Sequence, residues 1–200
     1  MNASPSIKLV QAQRPQQLGD LADDDLMLLA RRERQDAFEL LVQRHQGLVF
    51  GLCTRYLGDR VQGRDVTQDV FLALWAEKDR YRPSGKFRSY LVSMAMHRCH
   101  YVARQQRSNR DKVDQYKSSG AGEKSDPALP LAALVEHERA QEVRQALTQL
   151  PEKCREVMIL RFNQELPLEE IAELTGMPLG TVKSHVFRGL QRLHAILQRG

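Results

Sequence analysis

Two imidazoles, His97 and His100, stand three residues apart with Cys99 between them, and two carboxylates, Asp65 and Asp69, stand four apart with Gln68 beside the second. On a helix the histidines could share a metal ion, but Cys99 points to another face and no fourth ligand lies nearby. They therefore read as core or nucleic-acid-facing groups, and no metal or other cofactor is expected. No Ser-His-Asp order, P-loop or carboxylate-histidine cluster supports catalysis, so an enzyme is not expected. The two aspartates share one helical face, where like charges at this spacing destabilise a helix by roughly 0.2–0.5 kcal/mol. A basic partner would offset that repulsion, whereas a solvated acidic face would leave it standing.

The sign then inverts. From Asp79 to Lys112 the basic residues are Arg80, Arg82, Lys86, Arg88, Arg98, Arg104, Arg107, Arg110 and Lys112, against Asp79 and Asp111, which leaves a net +7. Tyr81, Phe87, Tyr90 and Tyr101 are interleaved with them. Cations that track a backbone and aromatic rings that stack on bases are what a single-strand nucleic-acid binder needs, although several of these rings must belong to a core.

A second nucleic-acid signal lies near the C-terminus. The run from Leu168 to Leu190 has the pattern of a helix-turn-helix. Small Ala172 lets two helices approach, Gly176 suits a turn residue with positive φ, and Val182 and Val186 would pack the second helix on Ile171 and Leu174. Glu165, Glu169, Glu170 and Glu173 lie before or on the first helix, whereas Leu179 to Gly200 has Lys183, Arg188, Arg192 and Arg199 and no acid. Only the second helix can enter a major groove, led by Thr181, Lys183, Ser184, His185 and Arg188. Pro167 occupies the position of a capping Ser or Thr, so the first helix starts without a side-chain cap.

The elements that carry these residues are all helical by periodicity. Phe38 to Tyr56 repeats apolar residues at three- and four-residue steps and ends at Gly58-Asp59. Further helices are predicted from about Val61 to Glu77, from Phe87 to Arg107, from Leu134 to Leu150 and through Val157 to Phe162, followed by the pair within Leu168 to Leu197. The Gln- and Pro-containing stretch 1–19 reads as a flexible tail, and 108–131, with Ser118-Ser119-Gly120-Ala121-Gly122, as an interdomain linker. The expected architecture is therefore all-α: two small helical domains, 20–107 and 132–200, on a flexible tether. The chain has 200 residues, of which 28% are charged, and a net charge of +5, a basic balance that fits a polyanionic partner. Cys53, Cys99 and Cys154 are widely spaced and read as reduced, mostly buried thiols. With no apolar membrane span and no signal-peptide core, the protein is expected in the cytoplasm.

Read in order, Asp36-Ala-Phe-Glu-Leu-Leu, Arg64-Asp-Val-Thr-Gln-Asp-Val-Phe-Leu-Ala-Leu-Trp75, Phe87-Arg-Ser-Tyr-Leu, Leu150-Pro-Glu-Lys-Cys-Arg-Glu-Val and Gly180-Thr-Val-Lys-Ser resemble regions 2 and 4 of extracytoplasmic-function sigma factors. The resemblance implies that Asp65, Gln68, Asp69, Phe71, Leu72 and Trp75 dock on the β′ clamp helices of core RNA polymerase, with further contact to its β subunit. It implies that Arg80, Lys86, Phe87, Arg88, Tyr90, His97, Arg98, Tyr101 and Arg104 melt and capture the −10 element of promoter DNA. Thr181, Lys183, Ser184, His185, Arg188 and Arg192 would read the −35 element as duplex. Where the family commonly carries Asn and, four residues on, Asp, this chain has His97 and Tyr101, which bears on its −10 preference. An anti-sigma factor, often membrane-bound in the family, is an expected partner, and the free protein is expected to be monomeric. The main rival reading is an operator-binding regulator, which would dimerise and bind duplex DNA without polymerase.

Overall fold

The computed structural model describes residues 18–113 and 131–198. The described residues form eight α-helices and one 3-10 turn: α1 (Asp23–Ala30), α2 (Gln35–Leu57), α3 (Arg60–Ala76), the turn Lys78–Arg80, α4 (Phe87–Val113), α5 (Leu131–Thr148), α6 (Glu152–Phe162), α7 (Leu168–Thr175) and α8 (Leu179–Leu197). None is long and apolar enough to cross a membrane. The all-helical expectation holds, and most predicted boundaries fall within a few residues of the observed ones. Most of the expected tail and linker, and Arg110, Lys112 and Arg199 as side chains, lie outside the described residues.

Helix α2 is the spine of the N-terminal half. Its stripe of Leu41, His45, Val49, Leu52, Cys53 and Tyr56 is buried, which matches the periodicity of the sequence. Asp59 then caps α3 by accepting the N–H groups of Val61 at 2.7 Å and Gln62 at 3.0 Å, a cap worth about 1 kcal/mol. Helices α2 and α3 approach closely because Gly63 has no Cβ: an added one would lie 2.4 Å from Thr54 Oγ1 and 2.9 Å from the Thr54 backbone.

Helix α1 has only eight residues, too few to hold by local propensity. Three aspartates fill its first turn, where the helix dipole favours them. Asp23 takes Arg44 at 2.8 Å and His45 at 2.7 Å from α2. Two residues assigned to the tail pack close to this helix: Leu18 is 3% exposed and Gly19 O accepts from Arg44 at 2.5 Å.

The C-terminal half packs α8 on α6 and α5, with α7 against α8 and α6. Val157, Ile159, Leu160, Ile171 and Val182 are buried, and Leu174 and Val186 pack against them. The two halves do not stand apart. Helix α2 touches both α5 and α6, and the buried side chains join into one connected cluster. At this seam Tyr56 is fully buried beneath the Arg155 guanidinium, 5.5 Å from its ring centroid.

Candidate polymerase and nucleic-acid surfaces

The polar stripe of α3 is set by its core. Gly63, Val66, Val70, Phe71 and Leu74 are buried, and this leaves Asp65, Gln68, Asp69 and Leu72 in solvent on the opposite face. Leu72 is 59% exposed, a large apolar side chain beside two carboxylates. Two further predicted members are less exposed. Phe71 is 8% exposed and part of the core, so it supports the stripe from beneath. Trp75 is half-buried, with Phe38 edge-on at 4.9 Å and the Lys78 ammonium 4.5 Å above its ring.

The loop leading into α4 is held by an aspartate that no motif pointed to. Asp24 accepts the Tyr81 hydroxyl at 2.5 Å through one oxygen and the N–H groups of Ser84 at 2.9 Å and Gly85 at 2.6 Å through the other. Burial, and then this carboxylate, push the Tyr81 hydroxyl well above the usual phenol range, so it stays a donor. Tyr81 and Phe87 are buried and meet at 5.8 Å, with Tyr90 5.2 Å from Tyr81 and His45 5.3 Å from Phe87. Phe87, expected at the −10 element, is 3% exposed and packs here as a core ring. The packed aromatics do fix the loop, leaving Arg80, Arg82 and Lys86 exposed.

The other predicted residues of α4 divide between two faces. Tyr90, His97, Arg98 and Tyr101 line one open groove with Ala73 and Glu77 of the α3 end. Their spacing of three, four and seven residues puts them on one side of the helix. Tyr101 is 52% exposed with its hydroxyl accepting from Gln105 at 2.6 Å, so a flat ring is presented to solvent. Arg104, also exposed, continues this face by one turn. Lys86 and Arg88 point instead toward the C-terminal half: Lys86 Nζ pairs with Glu173 at 3.2 Å and Arg88 donates to Gln164 O at 2.7 Å.

In the helix-turn-helix, Gly176 ends α7 with φ 66°, and Pro167 starts it without a side-chain cap, both as expected. Pro178 O accepts the N–H groups of Thr181 at 2.8 Å and Val182 at 3.1 Å, which closes the first turn of α8. Burying Val182 and Gly189 on the inner face turns Lys183, Ser184, Arg188 and Arg192 outward. Ser184 donates back to Gly180 O at 2.9 Å and Arg188 Nε to Ser184 O at 3.2 Å. Lys183, Ser184 and Arg188 border a shallow depression with Phe187. Phe187, 63% exposed, was missed, although its four-residue offset from Lys183 is the available signal. Thr181 is half-buried. His185 is also half-buried, and burial, with Arg188 and Lys153 nearby, lowers its imidazole below the ordinary value.

Comparison with known proteins bears on both halves. Residues 41–109 match the family described as Sigma-70 region 2, and residues 140–193 match Sigma-70, region 4. The RNA polymerase sigma-H factor of Pseudomonas aeruginosa is 31% identical over 88% of this chain and 95% of its own length. The ECF RNA polymerase sigma factor SigW of Bacillus subtilis is 30% identical over 82% of this chain and 90% of its own. Among solved structures, CnrH in complex with the cytosolic domain of CnrY superposes with a TM-score of 0.62 at 25% identity, covering 88% of this chain and 97% of that one. The sigma factor RpoE of Bartonella quintana, in complex with the anti-sigma factor NepR, shares the fold with a TM-score of 0.65 at 19% identity, over 80% of this chain and 96% of that one.

Proposed function

From the premise that this chain belongs to the extracytoplasmic-function sigma factors of the sigma-70 family, we propose how its surfaces divide the work of promoter-specific transcription initiation. The stripe of Asp65, Gln68, Asp69 and Leu72 docks on the β′ clamp helices, where basic partners relieve the repulsion between the two carboxylates. The groove of Tyr90, His97, Arg98 and Tyr101, together with the exposed Arg80, Arg82 and Arg104, holds the −10 element as single-stranded DNA, stacking bases on exposed rings while cations track the phosphates. Helix α8 enters the major groove of the −35 element through Lys183, Ser184, Arg188 and Arg192. Residues 20–107 and 132–200 act as separate DNA-reading domains on the tether 108–131, and binding both to one polymerase raises the effective concentration of each at the promoter.

The observation that carries this reading is the segregation of function by face: carboxylates on the outside of α3, an open basic-aromatic groove on α4, and no acid on α8. An anti-sigma factor restrains the protein in the cytoplasm; the solved structure of the sigma factor RpoE is a complex with the anti-sigma factor NepR, and that of CnrH a complex with the cytosolic domain of CnrY. Run-off transcription with purified core polymerase on fragments of the source genome tests the reading. Discrete transcripts that depend on this protein are expected, and alignment of their start sites reveals the promoter. A protein that dimerises, binds duplex DNA unaided and yields no transcripts would instead be an operator-binding regulator.

A further inference from the structure

The segment between the 3-10 turn and α4 has no regular structure, yet it borders the cations proposed to meet single-stranded DNA. Tyr81 and Phe87 are buried at its two ends, and residues 82–86 between them are exposed. Its N–H groups lie outside any helix, so side chains or water must satisfy them. Asp24 of α1 takes this part: one carboxylate oxygen accepts the N–H groups of Ser84 at 2.9 Å and Gly85 at 2.6 Å, and the other accepts the Tyr81 hydroxyl. The helix that carries Asp24 is itself anchored, because Asp23 in the same turn pairs with Arg44 and His45 of α2.

One acceptor shared by two consecutive N–H groups sets the path of the chain between the buried rings. The path matters to the neighbouring cations. Arg82 Nη1 donates to Asp79 O and Tyr81 O at 3.3 Å each, so its guanidinium follows the loop backbone, and Arg80 directly precedes Tyr81. A carboxylate near a surface that meets phosphates is otherwise unfavourable, since it repels the same strand that the cations attract. Asp24 is half-buried and turns both oxygens to the loop, which is how a carboxylate serves order rather than charge.

We propose that Asp24 is a positioning residue for capture of the −10 strand: its carboxylate fixes the loop from Tyr81 to Lys86 and thereby aims Arg80 and Arg82 at the DNA. The inference rests on the reading of those arginines as −10 contacts. Its sign separates it from simple electrostatics. Removing an acid beside a DNA surface should tighten binding, whereas releasing the loop should weaken it. Asp25, the next residue of the same helical turn and also half-buried, makes none of the loop contacts and serves as the charge-matched control.

The test compares holoenzymes assembled from core polymerase and the full chain as wild type, D24N, D25N, Y81F and R80A/R82A. The probe is a fluorescent single-stranded DNA carrying the −10 sequence located by run-off transcription. D24N keeps the shape of the side chain but replaces an acceptor oxygen by a donor, and it should weaken binding of this strand about three- to tenfold. Amide exchange at Ser84 and Gly85 should quicken in D24N, while binding to core and to a −35 duplex stays as in the wild type. Y81F removes one of the three donors and should lose less affinity, and D25N should lose none. A D24N protein that binds the strand as tightly as D25N, or that keeps Ser84 and Gly85 protected, would overturn the positioning role. Parallel loss of core and −35 binding would overturn it as well, since Asp24 would then serve the fold at large. If the wild type directs no transcripts, or R80A/R82A binds the strand undiminished, the −10 reading of the loop arginines fails first and the positioning role falls with it.

Discussion

Gly63→Ala tests the close approach of α2 and α3 on which the proposed docking stripe depends. The added methyl would meet Thr54 Oγ1 at 2.4 Å and the Thr54 Cα and N at 2.9 Å. The hydroxyl sits on a buried side chain and two of the three atoms are backbone, so the helices must separate rather than a side chain turn aside. Overpacking of this kind costs about 1–3 kcal/mol, and the gain in helix propensity from Gly to Ala returns at most about 1 kcal/mol. The contacts here are tighter than ordinary, which places the cost in the upper part of its range and leaves a net loss of roughly 1–2 kcal/mol. For a chain of this size each kcal/mol moves Tm by about 2–4 °C, so a drop of about 2–8 °C is expected. Far-UV circular dichroism on heating, repeated in urea, measures it. Adding Thr54→Ala removes the 2.4 Å contact but leaves the backbone ones, so T54A/G63A should show a favourable coupling and incomplete recovery. A variant with unchanged or raised Tm would refute the reasoning, because it would mean that α2 and α3 have room between them and do not fix the outward face of α3.

Other substitutions separate binding from folding. Lys183→Ala and Arg188→Ala, both exposed, should each weaken binding of polymerase holoenzyme to a −35 duplex and lower the salt slope of that binding by about one, with the melting curve unmoved. Asp69→Arg should weaken core polymerase binding by size-exclusion or fluorescence titration while leaving circular dichroism and Tm as in the wild type; a parallel fall in Tm would make Asp69 a structural residue. The seam should respond to acid through His100, which faces Glu152, Lys153 and Glu156 of α6, Tyr56 of α2 and His97 of its own helix. Burial is the main cause that holds its imidazole below the ordinary value. The folded form therefore takes up a proton less readily than the unfolded chain, so stability should be unaffected well above about pH 6.5 and weaken as pH falls below it. Thermal melts above and below that pH should show this loss, and His100→Gln should reduce it while the contributions of the other histidines remain.

The helices were legible in the sequence because each one buries a stripe. The steps from Leu41 to Tyr56, the Gly58-Asp59 stop and the Gly176 turn are local patterns, and local patterns decide local structure. The solvent faces of α3 and α8 followed from the same arithmetic, since a residue opposite a buried stripe must point outward. That arithmetic could not decide which aromatics of the basic segment are rings for DNA. Phe87 and Tyr81 proved to be core, while Tyr101 is exposed, a division set by how α4 and the loop before it pack on α2 and α3. Asp24 was invisible for a similar reason: its partners Tyr81, Ser84 and Gly85 are nearly sixty residues away or more, and no spacing rule spans that distance. Charge told the same story at larger scale. The sequence alone determined that acidic α7 and basic α4 exist; only the tertiary structure decided that Glu173 meets Lys86 and Glu170 meets Ser89, because which opposite charges pair depends on how the two halves pack against each other, through contacts between residues far apart in the chain.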